Sequence, residues 1–197
     1  MSCGTAPSVA LRAAAPDDLA ALQSFVRGLS IATRVRRFFA PMFELPPLLA
    51  RAITEGDPQH RFLVAELPAG EQPAVVALGQ LALASHRRSA ELALVVADPW
   101  QGCGLGTRLL QRLCDEARRL GVPQLEAETQ RDNRAMLALL RSGGFAIGRH
   151  ADDPGLLHAA LALPPAQVRE RAAKKYFCCS AGVIAKIVAA KVAAKQL

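Results

Sequence analysis

Lysine is absent from the first 173 residues of this 197-residue chain, in which 19 arginines carry the positive charge. All five lysines lie between residues 174 and 195, and no acidic residue follows residue 173. The 17 acidic residues nearly balance the arginines, so the net charge of +7 belongs mainly to the C-terminal end. A nearly neutral body does not indicate a nucleic-acid groove, which needs clustered positive charge. We therefore expect no nucleic-acid partner.

Long apolar runs and cysteine pairs are missing as well. No run approaches the roughly 18 apolar residues that a membrane-spanning helix needs, and the first residues lack the basic and apolar regions of a signal peptide. The five cysteines form no C-x-x-C pair and have no histidine spacing typical of zinc. This pattern predicts no metal site, no transmembrane segment and a reduced, cytoplasmic location.

Apolar periodicity and turn residues divide the chain into alternating elements. The sequence predicts strands at 9–13, 61–67, 74–85, 91–97 and 124–130, two closing strands after residue 144, and helices at 16–27, 46–54, 105–120 and 135–141. Short turns between the three central strands favour antiparallel pairing. The order predicts an α/β (α+β) fold class: a mixed, mostly antiparallel twisted sheet with flanking helices.

The segment DPWQGCGLGT, residues 98–107, follows a predicted strand and opens a predicted helix. A glycine-rich turn at a helix N-terminus is an anion site, because unpaired N–H groups and the helix dipole favour negative charge there. A dinucleotide loop of the form G-x-G-x-x-G would need glycine at Thr107. A nucleoside-triphosphate loop would need lysine there. Neither pattern fits.

A third pattern fits closely. The loop reads Q-x-x-G-x-G at Gln101, Gly104 and Gly106, and a second motif, N-x9-G-G-F, runs from Asn133 to Phe145. Together these resemble the acyl-CoA pyrophosphate loop and the second CoA-side helix of the GNAT acetyltransferase superfamily. The resemblance implies a GNAT-like sheet with a V-shaped splay between the strands at 91–97 and 124–130. It also implies acetyl-CoA as the co-substrate.

The resemblance assigns the cofactor-binding residues. Backbone N–H groups from Gly102 to Thr107 would hold the pyrophosphate, and the strand end Leu94–Val96 would bind the pantetheine arm as an added strand does. Asn133 would contact pantetheine or cap its helix, and both roles stay open. The full set is Leu94, Val95, Val96, Gln101, Gly102, Cys103, Gly104, Leu105, Gly106, Thr107 and Asn133.

Acetyl transfer needs a base for the amine and donors for the thioester oxygen. Glu91 opens the run AELALVV, which is similar to a run in bacterial protein-lysine acetyltransferases whose glutamate is the general base. The alternative is a solvated glutamate at the start of a strand. The backbone N–H near Val95–Val96 is the expected donor. Many family members carry a tyrosine acid where this chain has Leu140, so either solvent protonates the leaving thiolate or the step needs no side-chain acid.

The acceptor is an amine whose identity the sequence leaves open. Residues 29–57 keep the outline of the bacterial protein-lysine acetyltransferases, although Val35 replaces a tyrosine of that pattern. A protein lysine is therefore the first candidate, ahead of a small amine such as a polyamine, amino acid or drug, or a catalytically silent acyl-CoA-binding module. The candidate substrate residues are Arg34, Arg37, Glu126 and Glu128.

The lysine-rich end differs from the rest of the chain. We predict an acetyltransferase domain at 1–165 and a helical extension at 166–197, which packs on the domain or a partner chain, lies on a membrane surface, or is poorly ordered. Its lysines are candidates for self-acetylation. The expected partners are an acyl-CoA and an amine acceptor, which could be a protein, with a homodimer left open.

Overall fold

The computed structural model describes residues 9–67, 74–85 and 88–164. The predicted helical extension at 166–197 lies outside these residues. The strands are β1 Ala10–Ala13, β2 His60–Leu67, β3 Ala74–Leu83, β4 Ala90–Val96, β5 Gln124–Gln130, β6 Ala146–Arg149 and β7 Leu156–Ala162. The helices are α1 Leu19–Gly28, α2 Ile31–Phe38, α3 Pro47–Thr54, α4 Leu105–Arg119 and α5 Arg134–Ser142, with 3-10 turns at Pro16–Asp18 and Asp98–Trp100.

The seven strands form one sheet in the order β1-β2-β3-β4-β5-β7-β6. Every neighbouring pair is antiparallel except β4 and β5, which run parallel. That parallel pair is joined only at Ala90 with Leu125 and at Glu91 with Glu126. Beyond these two positions the strands separate, which confirms the predicted mixed sheet and its V-shaped splay.

Side chains alternate between the two faces of β4, as they do in any strand. Leu92 and Val96 pack in a core cluster with Leu109 and Leu113 of α4. Val95 packs on the opposite face in a second cluster with Leu22 of α1. Each fully buried leucine contributes about 1.5–3 kcal/mol to folding. The sheet is therefore covered by α4 on one face and by α1 and α3 on the other, and Glu91 shares the face of Val95.

Close packing fixes α4 on the sheet. A Cβ atom at Gly79 of β3 would lie 2.9 Å from Leu113 Cδ1, so the helix rests where only glycine leaves room. Gly121, with φ +70°, follows the end of the helix in the left-handed conformation, which is common for a glycine at that position. The helix begins at Leu105, soon after β4 ends at Val96.

One helix was missed by the sequence analysis, which predicted two helices between β1 and β2 and assigned none to residues 30–43. The structure has three, because α2 occupies Ile31–Phe38. Its N-cap is Ser30, whose side chain accepts a hydrogen bond from the amide of Thr33. Phe39 ends the helix in the left-handed region at φ 57°. An eight-residue helix is marginal alone, so tertiary contacts stabilise it.

None of the helices described by the structure is both long enough and apolar enough to cross a lipid bilayer.

Candidate active site

A cleft of about 970 Å³ opens where β4 and β5 separate. Its walls come from α2 and α3, from the loop before α4, and from α5. Twelve of the residues proposed from the sequence line it: Arg37, Glu91, Leu94, Val95, Val96, Gln101, Gly102, Gly104, Gly106, Thr107, Glu128 and Asn133. The volume suits a sizeable ligand, since binding clefts commonly enclose about 300–1,000 Å³.

The loop before α4 has the backbone geometry of an anion site. Gly102 and Gly104 have φ values of 76° and 79°, the left-handed region that favours glycine. Gly104 is the N-cap, so the free amides of the first turn of α4 face the cleft end of the loop. A helix of 15 residues adds its dipole to these donors. The site therefore fits a diphosphate.

Asp98 holds this loop in place. Its carboxylate accepts hydrogen bonds from the Ser30 amide at 2.9 Å and from the hydroxyls of Ser30 and Thr33, each at 2.7 Å. Burial alone would raise the pKa of Asp98, but the hydrogen bonds from Ser30 and Thr33 outweigh burial and lower it. The Gln101 side chain donates to Val96 O at 3.0 Å. The loop is thus tied both to α2 and to the end of β4.

Gly106 lacks a side chain for a reason other than internal packing. A Cβ atom there would make ordinary contacts, at 3.5 Å from Leu139 Cδ2 and 3.9 Å from Val96 Cγ2. Gly106 also lies inside the cleft lining. The missing side chain leaves a cradle at the first turn of α4, which fits the diphosphate of a bound acyl-CoA.

Asn133 connects α5 to the cleft. Its Oδ1 accepts a hydrogen bond from the amide of Met136 at 3.2 Å, which caps the helix. The same residue lines the cleft. The capping role expected from the sequence is therefore present, and the residue also borders the space for a ligand.

Glu91 lies at the narrow end of the gap. It is level with Ala82 of β3 on one side and with Glu126 of β5 on the other. Arg37 of α2 lies across the cleft, where its Nη2 donates to Gln80 Oε1 at 2.6 Å. Burial lowers the pKa of Arg37 to about 10, and the negative charge of Glu91 opposes this shift. A carboxylate and a guanidinium therefore face the same space.

The fold and the loop agree with comparisons to known proteins. The acetyltransferase (GNAT) family model matches residues 26–145, more than half of the chain. The chain belongs to the GNAT family. The acetyltransferase PA5475 of Pseudomonas aeruginosa is 31% identical over 156 residues, which cover 79% of this chain and 84% of that protein.

Two solved structures share the GNAT fold. The GNAT domain of PAT from S. lividans has a TM-score of 0.70 and 24% identity, over 78% of this chain and 89% of that domain. The protein yncA from Salmonella typhimurium, solved with its cofactor acetyl-CoA, has a TM-score of 0.63 and 23% identity, over 83% and 99% of the chains. This GNAT chain is an acetyl-CoA-dependent N-acetyltransferase. Across the described residues, no group of three or more His, Cys, Asp or Glu side chains could hold a metal ion.

Four residues proposed from the sequence lie outside the lining of the GNAT cleft. Arg34 is 5% exposed and its guanidinium lies 4.2 Å from the centre of the Phe43 ring. Glu126 accepts an exposed hydrogen bond from the Gln124 side chain at 3.0 Å. Cys103 is exposed and Leu105 is buried in the core. The side chains of Arg34 and Glu126 thus have partners within the protein, whereas the role expected for Cys103 and Leu105 belongs to their backbone N–H groups.

Four residues of the site were not predicted from the sequence. Ser30 and Thr33 hold Asp98, and an N-cap serine before Ile31 was the available signal. Gln80 pairs with Arg37, and it is the one strongly polar residue in the apolar run AVVALGQLALAS. Thr129 lines the cleft from β5. Nothing in the sequence indicated this role, because the residues of β5 alternate as in an ordinary strand.

Proposed function

We propose that this enzyme transfers the acetyl group of acetyl-CoA to a lysine side chain of a protein, by direct attack in a ternary complex. The observation that carries the proposal is the position of Glu91 on the cleft wall. It is the last residue of β4 that pairs with β5 before the strands separate. Glu91 thus stands where an amine entering from the face of α2 would meet a thioester lying in the gap.

The proposed roles follow the requirements of the reaction. Glu91 accepts the proton of the attacking amine, directly or through water. The backbone N–H groups near Val95–Val96 donate to the thioester oxygen as it gains negative charge. The amides from Gly102 to Thr107 bind the diphosphate, which orients the thioester and lowers the entropic cost of attack.

Two features support a protein as the acceptor. Arg36 and Arg37 of α2 line the cleft and favour an acidic surrounding for the target lysine. Ile31, Phe43 and Leu48, which lie on and between α2 and α3, are 60%, 64% and 52% exposed. Large exposed apolar side chains beside a cleft are typical of surfaces that bind polypeptides.

A small amine is the second candidate. Phe38, Met42 and Pro46 make the acceptor side of the cleft largely apolar, as in many small-molecule sites. Because Arg36 and Arg37 would repel a polycation, an amine that carries a carboxylate and an apolar body fits this wall better than a polyamine does.

Thiol release from acetyl-CoA with a panel of acceptors tests the proposal. The panel contains lysine peptides with acidic flanks, the same peptides with basic flanks, polyamines and amino acids. We expect the acidic peptides to react fastest. Acetylation of small amines alone would reject the protein acceptor and leave the second candidate.

A matched pair of variants tests the base. Glu91→Gln should lower kcat by about 10²–10⁴-fold and leave acetyl-CoA binding by calorimetry unchanged. Glu126→Gln removes the neighbouring carboxylate outside the cleft lining and should keep nearly full turnover. Equal turnover in the two variants would remove Glu91 from the base role.

The cellular setting and the remaining assembly are also proposed from the sequence. A reduced, cytoplasmic location stays a prediction from the cysteine pattern of the sequence. The homodimer, the boundary at residue 165 and self-acetylation of the C-terminal lysines stay predictions. Intact-mass measurement after incubation with acetyl-CoA tests the last of them.

A further inference from the structure

We infer that the hydroxyl of Thr129 donates a hydrogen bond to the sulfur of acetyl-CoA and stabilises the thiolate as it leaves. Thr129 lies on β5 and lines the cleft between β4 and β5. The inference rests on the acetyl-CoA-dependent activity of this enzyme and is independent of the acceptor and of the role of Glu91.

The first observation is a buried hydroxyl without a partner. Thr129 is 1% exposed, and its Oγ1 makes no hydrogen bond to any described part of the chain. Burying a hydroxyl that has no hydrogen-bond partner costs free energy. Native proteins therefore seldom contain a buried hydroxyl that makes no hydrogen bond. Because Thr129 lines the ligand cleft, a bound ligand is the natural partner of this hydroxyl.

Other cleft hydroxyls are already engaged. Thr33 donates to Asp98 Oδ1 at 2.7 Å, and Ser142 donates to Leu139 O at 2.8 Å. Thr107 is exposed in the first turn of α4, at the diphosphate end. Thr129 is therefore the hydroxyl of the described cleft that is both buried and available.

The register of the sheet places Thr129 at the level of the thioester. Glu91 pairs with Glu126, and counting three residues along each parallel strand brings Thr129 level with Leu94 across the gap. Ala90 pairs with Leu125, so Thr129 faces the same side of the sheet as Leu92 and Leu94. The oxyanion donors proposed at Val95–Val96 are adjacent, and the thioester sulfur is bonded to the same carbon as that oxygen.

The chemistry needs such a donor. In the transfer, the nitrogen–carbon bond forms and the carbon–sulfur bond breaks, with the electron pair going to sulfur. The amine proton leaves to the base, and the thiolate later takes a proton from solvent. Thr129 keeps its own proton and donates a hydrogen bond that strengthens as charge grows on sulfur. Leu140, at the position of the usual tyrosine acid, offers no such group.

Thr129→Val and Thr129→Ser test this role. Valine has nearly the shape of threonine without the hydroxyl, and we expect it to lower kcat by about 10–100-fold, the loss of one hydrogen bond to a charged group. The KM for acetyl-CoA should change little, since the bond strengthens only as sulfur becomes charged. Serine should restore most of kcat.

Two further measurements separate this role from a structural one. Thermal unfolding of ligand-free Thr129→Val should occur at the same or a higher Tm than that of the wild type, because an unpaired buried hydroxyl has been removed. Calorimetry with free CoA should show binding that weakens in Thr129→Val mainly at pH values where the thiol is ionised. This binding result does not depend on acceptor turnover, so it also decides the inference if every tested acceptor fails.

Three results would overturn the inference. Full kcat in Thr129→Val would show that the hydroxyl does not act on the leaving group. A lower Tm for the ligand-free valine variant would show a partner within the protein. An equal loss of CoA affinity at all pH values would show a contact with the neutral arm instead of the sulfur.

Discussion

Thr33 Oγ1 donates a 2.7 Å hydrogen bond to Asp98 Oδ1, which joins the acceptor-side helix α2 to the loop that precedes α4. The two residues are 65 positions apart in the chain. The loop is the proposed diphosphate site, and α2 forms one wall of the cleft. A change in one of them should therefore alter the position of the other. The hydrogen bond between Thr33 and Asp98 therefore links the proposed donor and acceptor sites.

We predict that Asp98→Ala weakens both sites. The KM for acetyl-CoA and the KM for the acceptor should each rise about fivefold, the equivalent of one hydrogen bond worth about 1 kcal/mol. Asp98→Asn keeps one acceptor oxygen and should have a smaller effect. Steady-state kinetics in both substrates measure this, and a change confined to the acetyl-CoA KM would contradict the shared connection.

Acid should remove the contribution of Asp98 to stability. Its pKa in the folded protein lies below the ordinary value of 3.8, so the ionised carboxylate stabilises the fold at higher pH. That contribution is present above pH 3.8 and is lost as the pH falls through the lowered pKa. The difference in unfolding free energy between wild type and Asp98→Asn should be constant near neutrality and shrink below pH 3.8. It should be small, because the group is largely exposed and solvent screens it.

Alanine substitutions at Gly104 and Gly106 should affect different properties, namely stability at Gly104 and acetyl-CoA binding at Gly106. Gly104 has φ 79°, so Gly104→Ala should cost about 1–2 kcal/mol of stability. A Cβ atom at Gly106 meets Leu139 at an ordinary 3.5 Å, so Gly106→Ala should keep the Tm. It should instead weaken acetyl-CoA binding, since the added methyl group would occupy the space proposed for the diphosphate. Thermal unfolding and calorimetry on both variants check this, and tight binding by Gly106→Ala would argue against the cradle.

The two roles considered for Asn133 can be separated. Asn133→Ala removes the cap on α5 and should cost about 1 kcal/mol, whereas Asn133→Asp keeps a capping oxygen and should restore the stability. If Asn133 also contacts pantetheine, the KM for acetyl-CoA should stay raised in the aspartate variant, because aspartate has no amide N–H₂ to donate. Recovery of both stability and KM would mean that Asn133 only caps its helix.

Gly79 should be intolerant of a side chain, unlike Gly28. The added Cβ of Gly79→Ala would lie 2.9 Å from Leu113 Cδ1 and 3.0 Å from Leu109 Cδ1, and overpacking of this kind costs about 1–3 kcal/mol. Gly28 at the end of α1 has no atom within 4 Å of the same position and no positive φ. Gly28→Ala should therefore be neutral or slightly stabilising. Chemical denaturation of the pair provides the measurement.

Most of the fold could be predicted from local patterns. The β2–β4 strands, the long helix α4 and its glycine stop are each encoded within a few residues, because strand alternation and helical periodicity are local properties. Helix α2 could not be predicted with the same ease. It is short and largely polar, so it is stable only where Ser30 and Thr33 meet Asp98.

The sequence by itself determined the donor side of this protein. Glycine spacing in the loop at 98–107 determined its backbone conformation, and the proposed diphosphate site consists of backbone amides. The acceptor side depended on tertiary structure. Arg34 and Arg37 are one helical turn apart, yet Arg37 lines the cleft and Arg34 packs on Phe43. Glu126 and Glu128 share a face of β5, yet only Glu128 reaches the cleft. Local pattern assigns a side chain to a face, and only the packing of distant segments decides what lies opposite that face.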